Sequence, residues 1–273
     1  MAMNDRLPRD RRARWSSHCA VGRWLGIVAV AVVVAGCGSG GSGNRPGRTM
    51  TTTNRAAPSA VPEVVEICSG AGRGWRSLGV RAHGTRLSAA VLGGGDRGVV
   101  LANQSGNNPC DWMSLARELA AKGMRALVFE YYDEDRADRE VLAAARALRA
   151  AGARHVATIG SSLGGRAVIQ AGAHDHGTLA AAVSLSAERS VGALPEILPL
   201  ARRVHVPSLY IGSRQDGYTT FGRDTRQFHR VTPAKVNQIL LVPGGDHGVD
   251  LLSDANGPRV RAAIIDFLTR VRQ

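Results

Sequence analysis

The chain has 273 residues, 44% of them hydrophobic and only 4% aromatic, with a formal net charge of +13. That length and apolar content supply a buried core and exclude a wholly disordered chain. The surplus of Lys and Arg (35 against 22 Asp and Glu) is scattered along the sequence and stacking aromatics are scarce, which speaks for a solvated basic surface and against a nucleic-acid platform.

Residues 1–36 stand apart. Arg6, Arg9, Arg11, Arg12, Arg14 and Arg23 precede the apolar run 25–36, which is shorter than the ~20 residues a spanning helix needs and has the layout of an export signal. Its end, Val34-Ala35-Gly36-Cys37, resembles the bacterial lipoprotein signal. The resemblance implies acyl chains such as palmitate on Cys37 and a mature protein held on the outer side of the cytoplasmic membrane; an uncleaved signal anchor is the alternative. Residues 1–36 carry six Arg against Asp5 and Asp10, so a net charge of +9 remains without them. Residues 37–62 are rich in Gly, Ser, Thr, Asn, Arg and Pro. They bury too little apolar surface to offset the entropy of ordering and read as a flexible tether to a folded domain at 63–273.

Cys19 falls in the signal and Cys37 is the lipidation candidate, which leaves Cys68 and Cys110 in the domain. In an exported protein two such cysteines suggest one disulfide, with two buried thiols as the alternative. No Cys-x-x-Cys pair is present, so zinc is not expected, and no other metal or organic cofactor is called for.

Strand-like runs at 64–67, 76–82 and 87–92, with His83-Gly84-Thr85 as a turn, predict an antiparallel meander. From Gly98 onward strands and helices alternate. The strands are 99–102, 125–129, 156–159, 179–185, 208–211 and 238–242; the helices are 112–122, 136–149, 165–173, a short piece at 195–201, 219–230 and 258–271. These strands are nearly all apolar, which predicts burial on both faces of a mostly parallel, doubly wound sheet. Such sheets bind ligands at the carboxyl ends of their strands.

Reactive residues lie just past those ends. Gly160-Ser161-Ser162-Leu163-Gly164 follows strand 156–159 and precedes a helix, the setting in which Gly-x-Ser-x-Gly places a serine on a strained, exposed turn. Asp216 follows strand 208–211, and Pro243-Gly244-Gly245-Asp246-His247-Gly248 follows strand 238–242. The order Ser, Asp, His predicts Ser162 as nucleophile, His247 as its general base and Asp216 as the carboxylate that orients the imidazole. Ser161 is the alternative nucleophile. Asp224 sits inside a predicted helix, and Asp246 and Asp250 lie too close to His247 in sequence, so they are weaker choices of orienter. The oxyanion needs two donors. One is the backbone N–H of Leu163; the other comes from Asn103-Gln104-Ser105-Gly106, with Gln104 preferred and Ser105 one register away.

Over about 64–273 the domain resembles the α/β-hydrolase family, and looks especially like the small exported hydrolases of actinobacteria. The resemblance rests on Val99-Val100-Leu101-Ala102-Asn103-Gln104-Ser105 followed by Cys110-Asp111-Trp112, on the elbow Gly160-Ser161-Ser162-Leu163-Gly164-Gly165, and on the segment from Pro243 to Gly248. It departs at Asn103 and Gln104, where the family usually has a His-Gly turn. The resemblance implies a mostly parallel central sheet with helices on both faces, and acyl transfer to water through a serine acyl-enzyme. Only 53 residues separate Ser162 from Asp216, too few for a helical cap. Leu194, Ile197, Leu198 and Leu200 are expected to pack on the sheet, with a small flap as the alternative. The expected activity is that of a membrane-tethered carboxylesterase acting on small or envelope esters. A catalytically inactive envelope-binding protein of the same fold is one alternative. An acyltransferase, peptidase or thioesterase using the same triad is the other.

Overall fold

The structure, a computed structural model, describes residues 64–68, 72–106 and 108–271. The signal 1–36, the lipidation candidate Cys37 and the tether at 37–62 lie outside the described residues.

The first element corrects an expectation. Residues predicted as a strand form one helical turn, α1 (Val64–Ile67). Strand propensity needs a neighbouring strand to act on. Here the competing pattern wins: Val64 and Cys68, four apart and therefore on one helical face, are both buried, and the Cys68 N–H donates to the Val64 carbonyl at 3.0 Å. A disulfide joins Cys68 to Cys110, their Cα atoms 5.3 Å apart, and pins this turn to the approach of the first long helix.

The expected strand 76–82 is two strands, β1 (Arg76–Ser77) and β2 (Val80–Ala82), followed by β3 (Thr85–Leu87) and β4 (Ala89–Leu92). β1 pairs antiparallel with β4, whereas β2 and β3 form a separate hairpin. Its turn residues His83 and Gly84 both have positive φ, 51° and 78°, the twist that suits a two-residue hairpin loop.

Beyond them come β5 (Arg97–Ala102), α2 (Met113–Ala121), β6 (Met124–Phe129), α3 (Ala137–Ala150), β7 (His155–Ser161), α4 (Leu163–His174), β8 (Leu179–Leu185), α5 (Leu198–Ala201), β9 (Ser208–Ser213), α6 (Arg223–Val231), β10 (Asn237–Val242) and α7 (Gly257–Arg270). Among the described residues the main sheet has eight strands, in the order β1-β4-β6-β5-β7-β8-β9-β10. β5 to β10 run parallel and β4 antiparallel to β6, so the carboxyl ends of β5 to β10 open on one edge.

Alternation along each strand divides the core. Val99, Leu101, Val128 and Ile159 join the cluster of α2 and α7, while Val100, Ala102, Phe129 and Val156 join that of α3 and α4. Both faces of β5 to β9 are buried as the sequence predicts. β10 is the exception: it is the edge strand, and only Val242 is fully buried.

Between β8 and β9 the chain forms only α5, and no large cap covers the sheet. Ile197, Leu198 and Leu200 pack with Tyr210 and Phe228 against the sheet and do not form a flap. α6 begins four residues later than expected, because Thr220, Phe221 and Gly222 all take left-handed conformations with φ of 52°, 57° and 70°.

Candidate active site

The turn after β7 carries Ser162 at φ 50° and ψ −112°, a conformation that L-residues rarely adopt. It is held from both sides: the Ser162 N–H donates to the Leu185 carbonyl at 2.9 Å, and its carbonyl accepts from the Arg166 N–H at 2.9 Å. Strain of this kind persists only where the surroundings over-determine it. Close approach explains the flanking glycines. A Cβ on Gly164 would stand 2.2 Å from the Ala102 carbonyl oxygen and 2.5 Å from that of Asn103, so only glycine lets the start of α4 meet the loop after β5. Ser161 is completely buried and its hydroxyl faces the interior without a hydrogen-bond partner among the described residues, whereas Ser162 is partly exposed.

At the end of β9, Asp216 is completely buried, and its Oδ2 lies 2.8 Å from Nδ1 of His247. Its other oxygen accepts from the Tyr218 N–H at 3.0 Å, so both carboxylate oxygens are engaged. The His247 side chain is 17% exposed and lies in ring contact with Tyr218, centroids 4.7 Å apart. None of the other aspartates weighed as orienter is hydrogen-bonded to His247 among the described residues. Asp224 accepts from the Arg189 N–H at 3.1 Å, and Asp250 is exposed. The neighbouring Asp254 carboxyl raises that of Asp246 above the usual carboxylate range.

The loop after β5 reaches both the serine turn and the histidine loop. Gln104 Oε1 accepts from the Val249 N–H at 3.0 Å. Gly248, at φ 61°, leaves that amide oxygen room: a Cβ there would stand 1.9 Å from it. The backbone N–H groups of Gln104 and Leu163 donate to no other group among the described residues. Serine turn, loop after β5, histidine loop and Asp216 thus form one connected edge of the sheet.

No protein-family model matches the sequence, and no curated protein matches it either. Solved structures do. The monoacylglycerol lipase of Paleococcus ferrophilus superposes with a TM-score of 0.61 at 15% identity, over 69% of this chain and 100% of its own. An esterase of Pyrococcus furiosus gives 0.61 at 14%, over 73% and 91%. A dienelactone hydrolase of Anabaena variabilis gives 0.60 at 16%, over 71% and 96%.

The fold is the α/β-hydrolase fold.

Within that α/β-hydrolase fold the departure at Asn103 has a structural answer. The buried Asn103 side chain donates to the Phe129 carbonyl at 3.0 Å and ties its loop to β6. The residue that replaces the usual glycine, Gln104, spends its side chain on Val249 and leaves its backbone free.

Three residues of the site escaped the sequence reading. Tyr218 carries no motif, and its ring meets His247 only because the chain turns back after Asp216. Arg166 is 2% exposed; its guanidinium donates to the Glu188 carbonyl at 2.7 Å and to the Pro195 carbonyl at 2.8 Å, which fastens the segment after β8 to the serine helix. Glu188 follows β8, between the strand ends that carry Ser162 and Asp216. Burial pushes its carboxyl above the usual range, against the opposing pull of His247 and Arg166. The one signal open to sequence was its position just past a central strand.

Proposed function

We infer that this chain is a serine hydrolase that cleaves carboxylic esters. The observation that carries the reading is the 2.8 Å pairing of His247 with the buried Asp216 on the same sheet edge as the strained, partly exposed Ser162. The names of the structural neighbours, a lipase, an esterase and a dienelactone hydrolase, point to ester substrates.

In this reading Ser162 Oγ attacks the ester carbonyl carbon while Nε2 of His247 takes the serine proton. The carbonyl oxygen gains the electron pair and is held by the N–H groups of Leu163 and Gln104. Collapse expels the alcohol, which leaves with the proton from His247, and an acyl-enzyme remains. Water, deprotonated by His247, then attacks the acyl carbon, and the acid departs as Ser162 regains its proton. Asp216 holds Nδ1 of the imidazole and balances the imidazolium charge.

The proposed location is the outer side of the cytoplasmic membrane, tethered through acylated Cys37; the lipoprotein-like Val34-Ala35-Gly36-Cys37 supports it. A fluorophosphonate probe tests the chemistry. Wild type is expected to label and Ser162→Ala to stay unlabelled, with ester hydrolysis lost in parallel. Equal labelling of the two, or none of either, overturns the proposal. Intact mass of membrane-extracted protein tests the anchor: a mature chain that does not begin at a modified Cys37 refutes it.

A further inference from the structure

The segment after β8 is held at several points beside the candidate active-site edge. Ser186 turns out of the strand at φ 49°, and its N–H donates to the Ile211 carbonyl at 2.8 Å. A left-handed serine persists only where its surroundings over-determine it. The Glu188 carbonyl accepts from Arg166, and Arg189 is tied down through its N–H to Asp224 and through its guanidinium to Glu196 and Gln227. Glu188 is thereby kept between the strand ends that carry Ser162 and Asp216.

The Glu188 side chain is partly buried, and its carboxylate makes no hydrogen bond and no salt bridge among the described residues. Of the charged groups around it, His247 acts on it most strongly; Arg166 also attracts it, while Asp216 and Asp224 repel it. Arg166 makes no hydrogen bond to the carboxylate, because its two terminal nitrogens donate to the main-chain carbonyls of Glu188 and Pro195. A carboxylate withdrawn from water in this way lacks a compensating partner. Tyr218 adds an independent observation. Its ring is 69% exposed and lies against His247, so an aromatic surface borders the same imidazole. The face of such a ring attracts a cation.

We propose that Glu188 and Tyr218 select esters whose alcohol carries a positive charge, an ammonium or quaternary amine. The inference rests on the serine-hydrolase reading. There the alcohol departs with the proton from His247, so the alcohol portion of the ester lies beside the imidazole that both residues border. A cation on that portion supplies the charge that the carboxylate lacks and meets the Tyr218 ring. A neutral alcohol offers at most a hydrogen bond and leaves the carboxylate charge uncompensated. An anionic one meets Glu188 as a like charge.

The test uses the full chain in neutral detergent and two esters of equal shape: the acetate of choline, and the same ester with carbon in place of the ammonium nitrogen. Wild type is expected to favour the cationic ester about tenfold or more in kcat/KM, chiefly through KM. In Glu188→Gln that ratio is expected to fall to about threefold, the share left to an exposed aromatic ring, whatever the overall rate of the variant. A second measurement needs no turnover. Tetramethylammonium is expected to raise the Tm of wild type above its value in sodium at equal ionic strength, and to give Glu188→Gln a smaller gain. The inference alone is overturned if wild type hydrolyses both esters alike, if the fluorophosphonate probe labels it while neither ester is cleaved, if Glu188→Gln keeps the full preference, or if tetramethylammonium acts on the two proteins alike. Cleavage of neither ester together with no labelling overturns the serine-hydrolase reading, and this inference with it.

Discussion

Asp216 shows how much one buried carboxylate is asked to hold. Its Oδ1 accepts the Tyr218 N–H while Oδ2 meets Nδ1 of His247, so the imidazole is fixed in the tautomer that leaves Nε2 free to accept a proton. Asp216→Asn presents an amide in place of one oxygen and favours the wrong tautomer. Ester hydrolysis is expected to fall about 10³- to 10⁴-fold with the fold intact by circular dichroism; a drop smaller than tenfold removes Asp216 from the role. Glu188 lies nearby with the opposite character, a partly buried carboxylate raised chiefly by desolvation. Because its value is higher folded than unfolded, its favourable contribution is complete below the unfolded value and is lost as pH rises through the folded one. Glu188→Gln has no such loss. In urea titrations the variant is expected to be more stable than wild type at about pH 7 and to converge with it near about pH 4. A stability gap independent of pH would contradict the assignment of burial as the cause.

At the scale of elements, the turns connecting strands to helices carry the site, and each is held by something outside itself. The serine turn rests on Leu185, the loop after β5 on Phe129 and Val249, and the histidine loop on β9 through the Ser213 hydroxyl, which donates to the Asp246 carbonyl at 2.8 Å. α1 is a single turn, and the disulfide fastens it to the approach of α2. Closing a loop between residues 42 apart restricts the unfolded chain, so replacing Cys68 and Cys110 together by Ser is expected to lower stability by about 2–4 kcal/mol. Denaturant melts with and without reductant check this: the double variant should match reduced wild type, and oxidised wild type should unfold at higher denaturant.

For the whole molecule, the short connection between β8 and β9 leaves the candidate active-site edge without a large cover. Rates against a soluble short-chain ester should therefore saturate smoothly, with no jump as substrate passes its solubility limit; a sharp rise there would reveal a moving lid. The sequence alone determined the alternation of buried strands and helices, because apolar runs between turn residues report burial without reference to partners. It also determined the serine turn, because glycines at 160 and 164 answer a close packing of adjacent segments. It misjudged 64–67, where four residues carry too little pattern to separate strand from helix. It placed the start of α6 too early, since the left-handed residues before it answer to Asp216, whose main-chain carbonyl accepts the Phe221 N–H. Tertiary structure decided which carboxylate faces His247 and the contact between Gln104 and Val249 across 145 positions. Each depends on segments distant in the chain meeting through the sheet order, and local periodicity carries no information about that order.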